Sequence, residues 1–477
     1  HLALSLERLE ALAAEPLARI GLSATQKPME LIGEFLVGSG RPQPVLVHIP
    51  QRRELDLSVD VPASELGPVA SNEMWEEIYG RIAGLVQQNR STLIFVNTRR
   101  LAERVAHNLA RFLGENEVAS HHGSLSRQRR LAVEGKLKAG EIRALVATAS
   151  LELGIDIGTV DLVCQIGSPR AIGVALQRIG RAGHWRGAIP RGRLFATTRD
   201  ELLECAALVR AIRAGDLDRI IIPDAPLDIL AQQIVAACAA EDWQEDDLFA
   251  LVRRAFPYRN LVRAEFDELI GMLSEGVSAR RGRYGSYLHH DRINTRLRGR
   301  RGARLAAITS GGAIPDNALY TVLAEPEHVM VGTVDEDFAV ESLRGDIMLL
   351  GNNSWRIRRV QTGSVLVEDA KGAPPNVPFW RGEAPSRTTE LSQHVATLRE
   401  QVSDLLDGVT LPPGELRSLP SLEKNPAVDW LQRECGLDRS GAEQIVEYIL
   451  AGRAVLGTVP TQQTVIAERF FDESGGM

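Results

Sequence analysis

The chain has 477 residues, of which 44% are hydrophobic and 25% charged, enough for about three domains of ordinary soluble composition. Its formal net charge of −7 offers no global basic field for nucleic acid, although local patches count for more than the total. No apolar run approaches the ~18 residues that span a membrane, no signal-peptide pattern opens the chain, and Cys164, Cys205, Cys238 and Cys435 form no CxxC pair that would suggest zinc or a disulfide framework. A reducing, cytoplasmic setting fits.

The first residues, HisLeuAlaLeuSerLeuGluArgLeuGluAlaLeu, read as an amphipathic helix entered midway, and the chain stops at GluSerGlyGlyMet with no closing helix. Both ends are expected to be cuts in a longer protein. Residues 1–38 hold that helix, a short strand ArgIleGlyLeuSer (19–23) and a Pro-started helix near 28–37. Residues 39–72, rich in Pro and Gly around ProValLeuValHisIlePro, read as a linker or hairpin.

From 73 to 220 helices alternate with short apolar strands. Strands are expected at 91–96, near 117–121, and at 144–148, 162–166 and 193–197, with helices at 73–88, 99–113, 126–138, near 171–181 and from 199. That alternation implies a parallel sheet covered by helices on both faces. Residues 221–304 carry helical stretches at 228–240, 245–254 and 265–275 and then a Gly/Arg/Tyr-rich segment, which suggests a winged helix. Residues 305–371 read as β-rich and 385–452 as helical, so 305–477 is expected to form a mixed accessory domain.

The chemistry concentrates between 144 and 184. Gln177, Arg178, Gly180, Arg181, Gly183 and His184 share one helix and its exit. An arginine presented there can stabilise charge on a transferring phosphoryl group; a solvated basic helix face is the other meaning of the pattern. Thr148 ends a buried strand and is followed by Gly154 and Asp156, a hydroxyl and a glycine-released turn at the carboxyl edge of the sheet, where such folds bind ligands. Asp156 suits a ribose hydroxyl or an arginine partner, or is a turn cap.

GlyLeuSerAlaThr (21–25), IlePheValAsnThrArgArg (94–100), HisHisGlySerLeuSer (121–126), ThrAlaSerLeuGluLeuGlyIleAsp (148–156) and GlnArgIleGlyArgAlaGlyHis (177–184) occur in this order. Together they resemble motifs III, IV, IVa, V and VI of superfamily 2 helicases. ThrSerGlyGlyAlaIlePro (309–315), GlyThrValAspGluAspPheAlaValGlu (332–341), ProPheTrpArgGlyGluAlaPro (378–385) and GluArgPhePheAspGluSerGlyGlyMet (468–477) resemble the Lhr family of large helicase-related proteins. The resemblance implies a RecA-like second lobe at 73–220 (the parallel sheet covered by helices), preceded by the tail of a first lobe at 1–38. A winged helix at 221–304 and the accessory domain at 305–477 would follow.

It also implies roles. Ser23 and Thr25 match the motif that couples the ATP site to the nucleic-acid track. Asn97, Thr98, Arg99, Gly123, Ser124, Thr148 and Ser150 lie where family members grip the backbone of the tracking strand. Gly154, Asp156, Gln177, Arg178, Arg181 and His184 face the nucleotide, with Arg181 the first choice for the finger and Arg178 beside it. Many superfamily 2 proteins place Arg where this chain has His184, so that residue reads as a polar partner. No GxxxxGK[ST] or DExH occurs in the chain; the phosphate cradle and the Mg²⁺ ligands are expected in sequence before His1, so the chain alone should not hydrolyse ATP. The implied whole is an ATP-dependent 3′→5′ DNA helicase acting on single-stranded DNA and on duplexes or RNA:DNA hybrids, in DNA repair. The alternative is a non-catalytic DNA-binding clamp.

The segment 280–304 contains nine Arg and one Asp. Arg280, Arg281, Arg283, Tyr284 and Tyr287 form an arginine–aromatic footprint suited to phosphates and bases, unless the arginines pair with the acidic run at 241–247. Trp380, in a Pro/Gly-bounded loop, is either a stacking platform or a core anchor. Ile314, in the GlyGlyAlaIlePro turn, is either a wedge between bases or an inward-packing residue.

Overall fold

The computed structural model describes residues 1–23, 26–48, 54–152, 157–183, 187–279, 282–284, 286–313, 318–380, 385–407 and 425–467, with the backbone alone at 277–279 and 282–284. The chain divides into two compact units, His1–Pro50 with Arg219–Asp316 and Gln51–Asp218 with Asn317–Met477.

The second unit is organised on a sheet of β1 (Asp56–Asp60), β2 (Thr92–Phe95), β3 (Val118–His121), β4 (Ala144–Ala147), β5 (Leu162–Ile166) and β6 (Arg191–Phe195). Its six strands run in the order β1-β6-β5-β2-β4-β3, every neighbouring pair parallel. All residues of β2, β4 and β5 are buried, which is why these strands read as unbroken apolar runs rather than alternating ones. Helices Asn72–Gln87, Arg99–Leu113 and Arg199–Ala214 contribute to the same core. Chain order changes direction between β2 and β5: β4 and β3 lie to one side, β6 and β1 to the other. In open parallel sheets ligands bind at the carboxyl edge beside such a switch point.

The stretch expected to be a linker or hairpin contributes β1, an edge strand paired with β6. Leu57 and Val59 are buried on alternate positions, a period of two that fits a half-covered edge. The Val59 N–H donates to Gly436 O at 2.9 Å, so the segment before the last helix covers part of that edge.

The other unit has helices Leu227–Ala240, Glu245–Arg254 and Arg263–Glu275, followed by short strands. Strands β7 (Trp243–Gln244), β10 (Leu288–Asp291) and β11 (Arg296–Gly299) form a three-stranded antiparallel sheet, and β8 (Val277–Ala279) pairs with β9 (Gly282–Tyr284). This is a winged helix. Helix Leu2–Leu12 buries Ala3 and Leu4 in its core. Glu7 on that helix is fully buried and meets Arg19 at 2.8 Å, Arg41 at 3.0 Å and Arg254 at 2.9 Å, the dense pairing a buried carboxylate requires. The strand expected at 19–23 does not form: Ile20 and Leu22 are 85% and 97% exposed. The described residues offer it no neighbouring strand, and Arg19 instead caps the carbonyls of Leu36 and Val37.

The β-rich region opens with helix Ala303–Thr309 rather than a strand. Then β12 (Leu319–Ala324), β13 (Val329–Asp335), β14 (Ile347–Leu350), β15 (Asn353–Gln361) and β16 (Ser364–Asp369) form a mixed sheet in the order β13-β12-β16-β15-β14. It has its own core, including Val322, Val334, Trp355 and Ile357. Helices Thr389–Leu405, Pro426–Cys435 and Arg439–Leu456 do not join that core. Leu391, Leu398, Leu431 and Ile445 pack with the core of the parallel sheet. Ala307, on the opening helix, packs with the core of the winged helix, so the region expected as one accessory domain divides among three cores.

Candidate nucleotide and nucleic-acid site

Helix Ile172–Ile179 has no side-chain cap from its own first residue. Asp218 supplies one from a distance, its Oδ2 accepting from Gly173 N at 2.7 Å while Oδ1 accepts from Thr388 Oγ1 at 2.6 Å. A carboxylate there satisfies an orphan donor and suits the positive end of the helix.

That helix carries Arg178, 4% exposed. Its Nε donates to Glu152 Oε1 at 2.8 Å, and its Nη1 to Gln165 Oε1 at 2.7 Å and, more weakly, to Asn97 Oδ1 at 3.4 Å. Its guanidinium also lies 5.2 Å from the centre of the Phe95 ring. Asn97 in turn donates to Ser168 O at 2.7 Å. The carboxyl ends of β2 and β5 are thereby cross-linked through one arginine, at the switch point. Burial pulls the Arg178 pKa below the ordinary arginine value, with Glu152 opposing the shift; an arginine stays charged even so.

After the helix, Arg181 N donates to Arg178 O and Gly183 N to Val160 O, both at 3.0 Å, so the exit turn is fixed on both sides of Arg181. The buried Nε of Arg181 has no hydrogen-bond partner among the described residues, and burial lowers its pKa as well. A desolvated guanidinium N–H without an acceptor is costly unless something anionic completes it.

A second polar cluster joins the loops after β2, β3 and β4. Thr98 caps helix Arg99–Leu113, its Oγ1 accepting from Leu101 N at 3.2 Å. Arg99 donates to Ser124 Oγ at 2.6 Å. Ser150 Oγ lies 2.8 Å from His121 Nδ1, while His121 Nε2 meets Glu134 at 2.9 Å. Burial lowers the His121 pKa against the pull of Glu134. Thr148, buried at the end of β4, donates its backbone N–H to His121 O at 3.3 Å. Gly123 stands exposed with open space around it.

The expected residues therefore fall into groups. Asn97 and Arg178 meet directly; Arg99 meets Ser124; Ser150 meets His121, the last residue of β3, just before Gly123 and Ser124. Gln177 is half-buried on the helix of Arg178, and Ser23 is exposed in the other unit. Thr25, Gly154, Asp156, His184, Arg280, Arg281 and Ile314 lie outside the described residues, as do the side chains of Arg283 and Tyr284 on β9. Tyr287 is partly exposed and Trp380 buried. The Trp380 ring meets His122 edge-on at 5.7 Å, with Arg99 at 5.8 Å over its face.

Further along the basic segment, Arg298 forks onto Asp242 (Nη2–Oδ2 2.7 Å, Nε–Oδ1 2.9 Å), and Arg296 reaches the same carboxylate at 3.4 Å. Arg292 pairs with Glu275.

Glu152, Gln165, Ser168, Asp218, Glu103 and His122 were not singled out from sequence. Two of them left a trace there. Gln165 is the one polar residue of LeuValCysGlnIle, and Glu103 sits among Ala102, Val105 and Ala106 on the apolar face of its helix.

The model of the helicase conserved C-terminal domain matches residues 72–186, and that of the winged helix domain of large helicase-related protein matches 210–377. The chain is 37% identical to the Lhr helicase/probable uracil glycosylase of Mycolicibacterium smegmatis, over 100% of the chain and 33% of the relative. It is 35% identical to ATP-dependent helicase Lhr-Core protein 2 of Thermococcus barophilus, over 99% of the chain and 54% of the relative. The chain thus spans about a third to a half of the curated relatives it matches. Among solved structures, the Mycobacterium smegmatis helicase Lhr bound to ssDNA and AMP-PNP is similar across 100% of this chain and 55% of that one, with a TM-score of 0.75 and 36% identity. The DUF1998 helicase MrfA bound to DNA and AMPPNP, at 18% identity and a TM-score of 0.54 over 78% of this chain and 50% of that one, shares the fold.

Proposed function

This chain belongs to the Lhr (large helicase-related) family of superfamily 2 helicases, and from that premise we propose that it serves as the second RecA-like lobe and nucleic-acid clamp of an ATP-dependent helicase. In this reading the motor moves 3′→5′ along single-stranded DNA and opens duplexes or RNA:DNA hybrids in DNA repair.

The observation that carries the reading is the pair of arginines at the switch point, one satisfied and one not. Arg178 is held by Glu152, Gln165 and Asn97 and orders the ends of β2 and β5. Arg181, three residues on, keeps a buried N–H with no partner among the described residues, which fits the terminal phosphate of a nucleotide. Bound ATP with Mg²⁺ supplies the phosphoryl group and its charge neutralisation. Arg181 is assigned the developing negative charge, and Arg178 keeps the helix in register. The chain holds no GxxxxGK[ST] and no DExH, so the phosphate cradle and the metal ligands are assigned to a first lobe that carries them. On the other cluster, the hydroxyls of Thr98, Ser124, Thr148 and Ser150, the Arg99 guanidinium and the open backbone at Gly123 suit phosphates of the tracking strand and carry no base code.

Arg181→Ala, in a protein carrying both lobes, tests the reading. DNA-stimulated ATP turnover should fall about 10³-fold, while affinity for single-stranded DNA stays within about twofold. Unchanged turnover sinks the assignment. A sensitive ATPase assay on the present chain with single-stranded DNA addresses the clamp alternative: DNA binding without hydrolysis is expected, and turnover would place a phosphate-binding loop inside the chain.

A further inference from the structure

Loop 121–126, read above as part of the grip on the tracking strand, is bridged to the β13 edge of the β12–β16 sheet. Leu125 pairs antiparallel with Gly332 on β13. Thr333 N donates to Ser124 O at 2.7 Å, and Ser126 N donates to Val331 O at 3.0 Å. A Cβ at residue 332 would stand 2.3 Å from Ser124 O, so only glycine lets the strand come this close.

Beside this pairing lies Glu103, fully buried. Its carboxylate meets His122 Nε2 at 2.7 Å and accepts from Ser120 Oγ at 3.2 Å, Gly351 N at 2.7 Å and Asn352 N at 3.1 Å. Gly351 and Asn352 form the turn between β14 and β15, where Leu350 pairs with Asn353. Both have left-handed backbones, φ 65° and 62°, as a two-residue hairpin turn of the tightest kind requires. One carboxylate thus holds the loop through His122 and the sheet through two turn amides. Each of these donors is left unsatisfied if the others move, so the arrangement permits one geometry.

We infer that Glu103 is a positioning residue that makes the β12–β16 sheet part of the nucleic-acid grip, by locking loop 121–126, and with it Ser124 and its partner Arg99, against β13 and the Gly351–Asn352 turn. The inference rests on the reading that loop 121–126 meets nucleic acid. It assigns the sheet a task in the motor's grip, and it gives Glu103 and Gly332 a role although neither faces the strand.

The test uses a protein carrying both lobes. For Glu103→Gln and Gly332→Ala, the single-stranded DNA concentration giving half-maximal ATPase should rise about tenfold while the DNA-saturated rate stays within about twofold. A residue that only stabilises the fold would lower the melting temperature without this split. Hydrogen–deuterium exchange on the unaltered protein needs no variant to fold: DNA should slow exchange in loop 121–126 and, through the lock, in β13 and at 351–352. DNA-dependent protection of the loop, with β13 and the turn unaffected, overturns the inference, as does an unchanged DNA requirement in Glu103→Gln alongside a raised one in Arg99→Ala. If the loop gains no protection and Arg99→Ala binds DNA normally, the reading beneath the inference has failed, and the inference with it.

Discussion

The molecule uses arginine in two opposite ways. At the carboxyl edge of the parallel sheet, Arg178 is buried and spends its donors on Glu152, Gln165 and Asn97. On the strands of the winged helix, Arg298 is 64% exposed and bound to Asp242 in water. Burial pulls the pKa of the first below its ordinary value, and the hydrogen bond that Arg298 donates to Asp242 pushes that of the second above it. The first arrangement is expensive to break because its partners are desolvated. The second is cheap to exchange, because water and salt screen it and another anion can take the carboxylate's place. Buried arginines can set geometry for chemistry; exposed ones can trade partners with a passing phosphate chain.

The largest expected effect comes from breaking the buried side. Arg178→Ala strands Glu152 and the acceptors of Gln165 and Asn97, so the chain should lose about 3–5 kcal/mol of stability, read by chemical denaturation. Arg178→Lys cannot reproduce the fork that serves Glu152 and Gln165 together and should recover less than half of that loss. A loss below about 1 kcal/mol in Arg178→Ala, the range of surface pairs, would erase the contrast between the two regions.

A second buried charge sharpens the comparison through pH. Burial alone would raise the Glu103 carboxyl, but hydrogen bonds from His122, Gly351 and Asn352 outweigh it and hold the pKa below the ordinary value. A carboxyl depressed in the folded state contributes stability that is full above the unfolded value and is lost as pH falls through the folded one. Wild type should therefore exceed Glu103→Gln by about 1–3 kcal/mol at neutral pH. That difference should shrink as pH drops below about 4, where the unfolded carboxyl begins to bind its proton. A difference independent of pH between 7 and 3, on the order of these bounds, would mean that the charge of Glu103 is not what holds the loop.

What was legible in the sequence follows the same division. Strands β2, β4 and β5 announce themselves because burial on both faces demands unbroken apolar runs, and the winged-helix helices carry their own periodicity. The arginines of the 177–184 segment stand out by type and spacing. The partners of Arg178 and the cap of its helix do not, because Glu152 and Gln165 lie 26 and 13 residues from Arg178, and Asp218 lies 45 from Gly173, and they meet only once the sheet has formed. Strand β1 was hidden for a related reason: Leu57 and Val59 supply a period of two over only five residues, inside a stretch punctuated by proline. The helices from Thr389 onward are recognisable as helices, yet nothing local says that Leu391 and Ile445 belong to the core of the parallel sheet rather than to the β-rich one. Glu103 was the strongest missed signal, an acid on an apolar helix face that had to have a buried partner.

The smallest expected effect probes the exposed side, and it is the one that decides what the basic strands are for. Asp242 holds Arg298 and Arg296, so two of the arginines of the 280–304 segment are neutralised by the acidic run that precedes them. If these strands meet nucleic acid, a phosphate must displace Asp242. Asp242→Asn removes the competitor without removing an arginine, so affinity for single-stranded DNA should rise about threefold, with a steeper dependence on salt. Arg298→Ala should weaken binding by a similar amount and reduce the logarithmic salt slope by about one. Both changes should leave the denaturation midpoint essentially where it is. Fluorescence anisotropy at two salt concentrations reads all of this. Unaltered affinity in both variants would assign the Arg298–Asp242 fork to tying β11 to the residue before β7, and would move any nucleic-acid contact of this unit elsewhere, starting with the exposed Arg301 and Arg304.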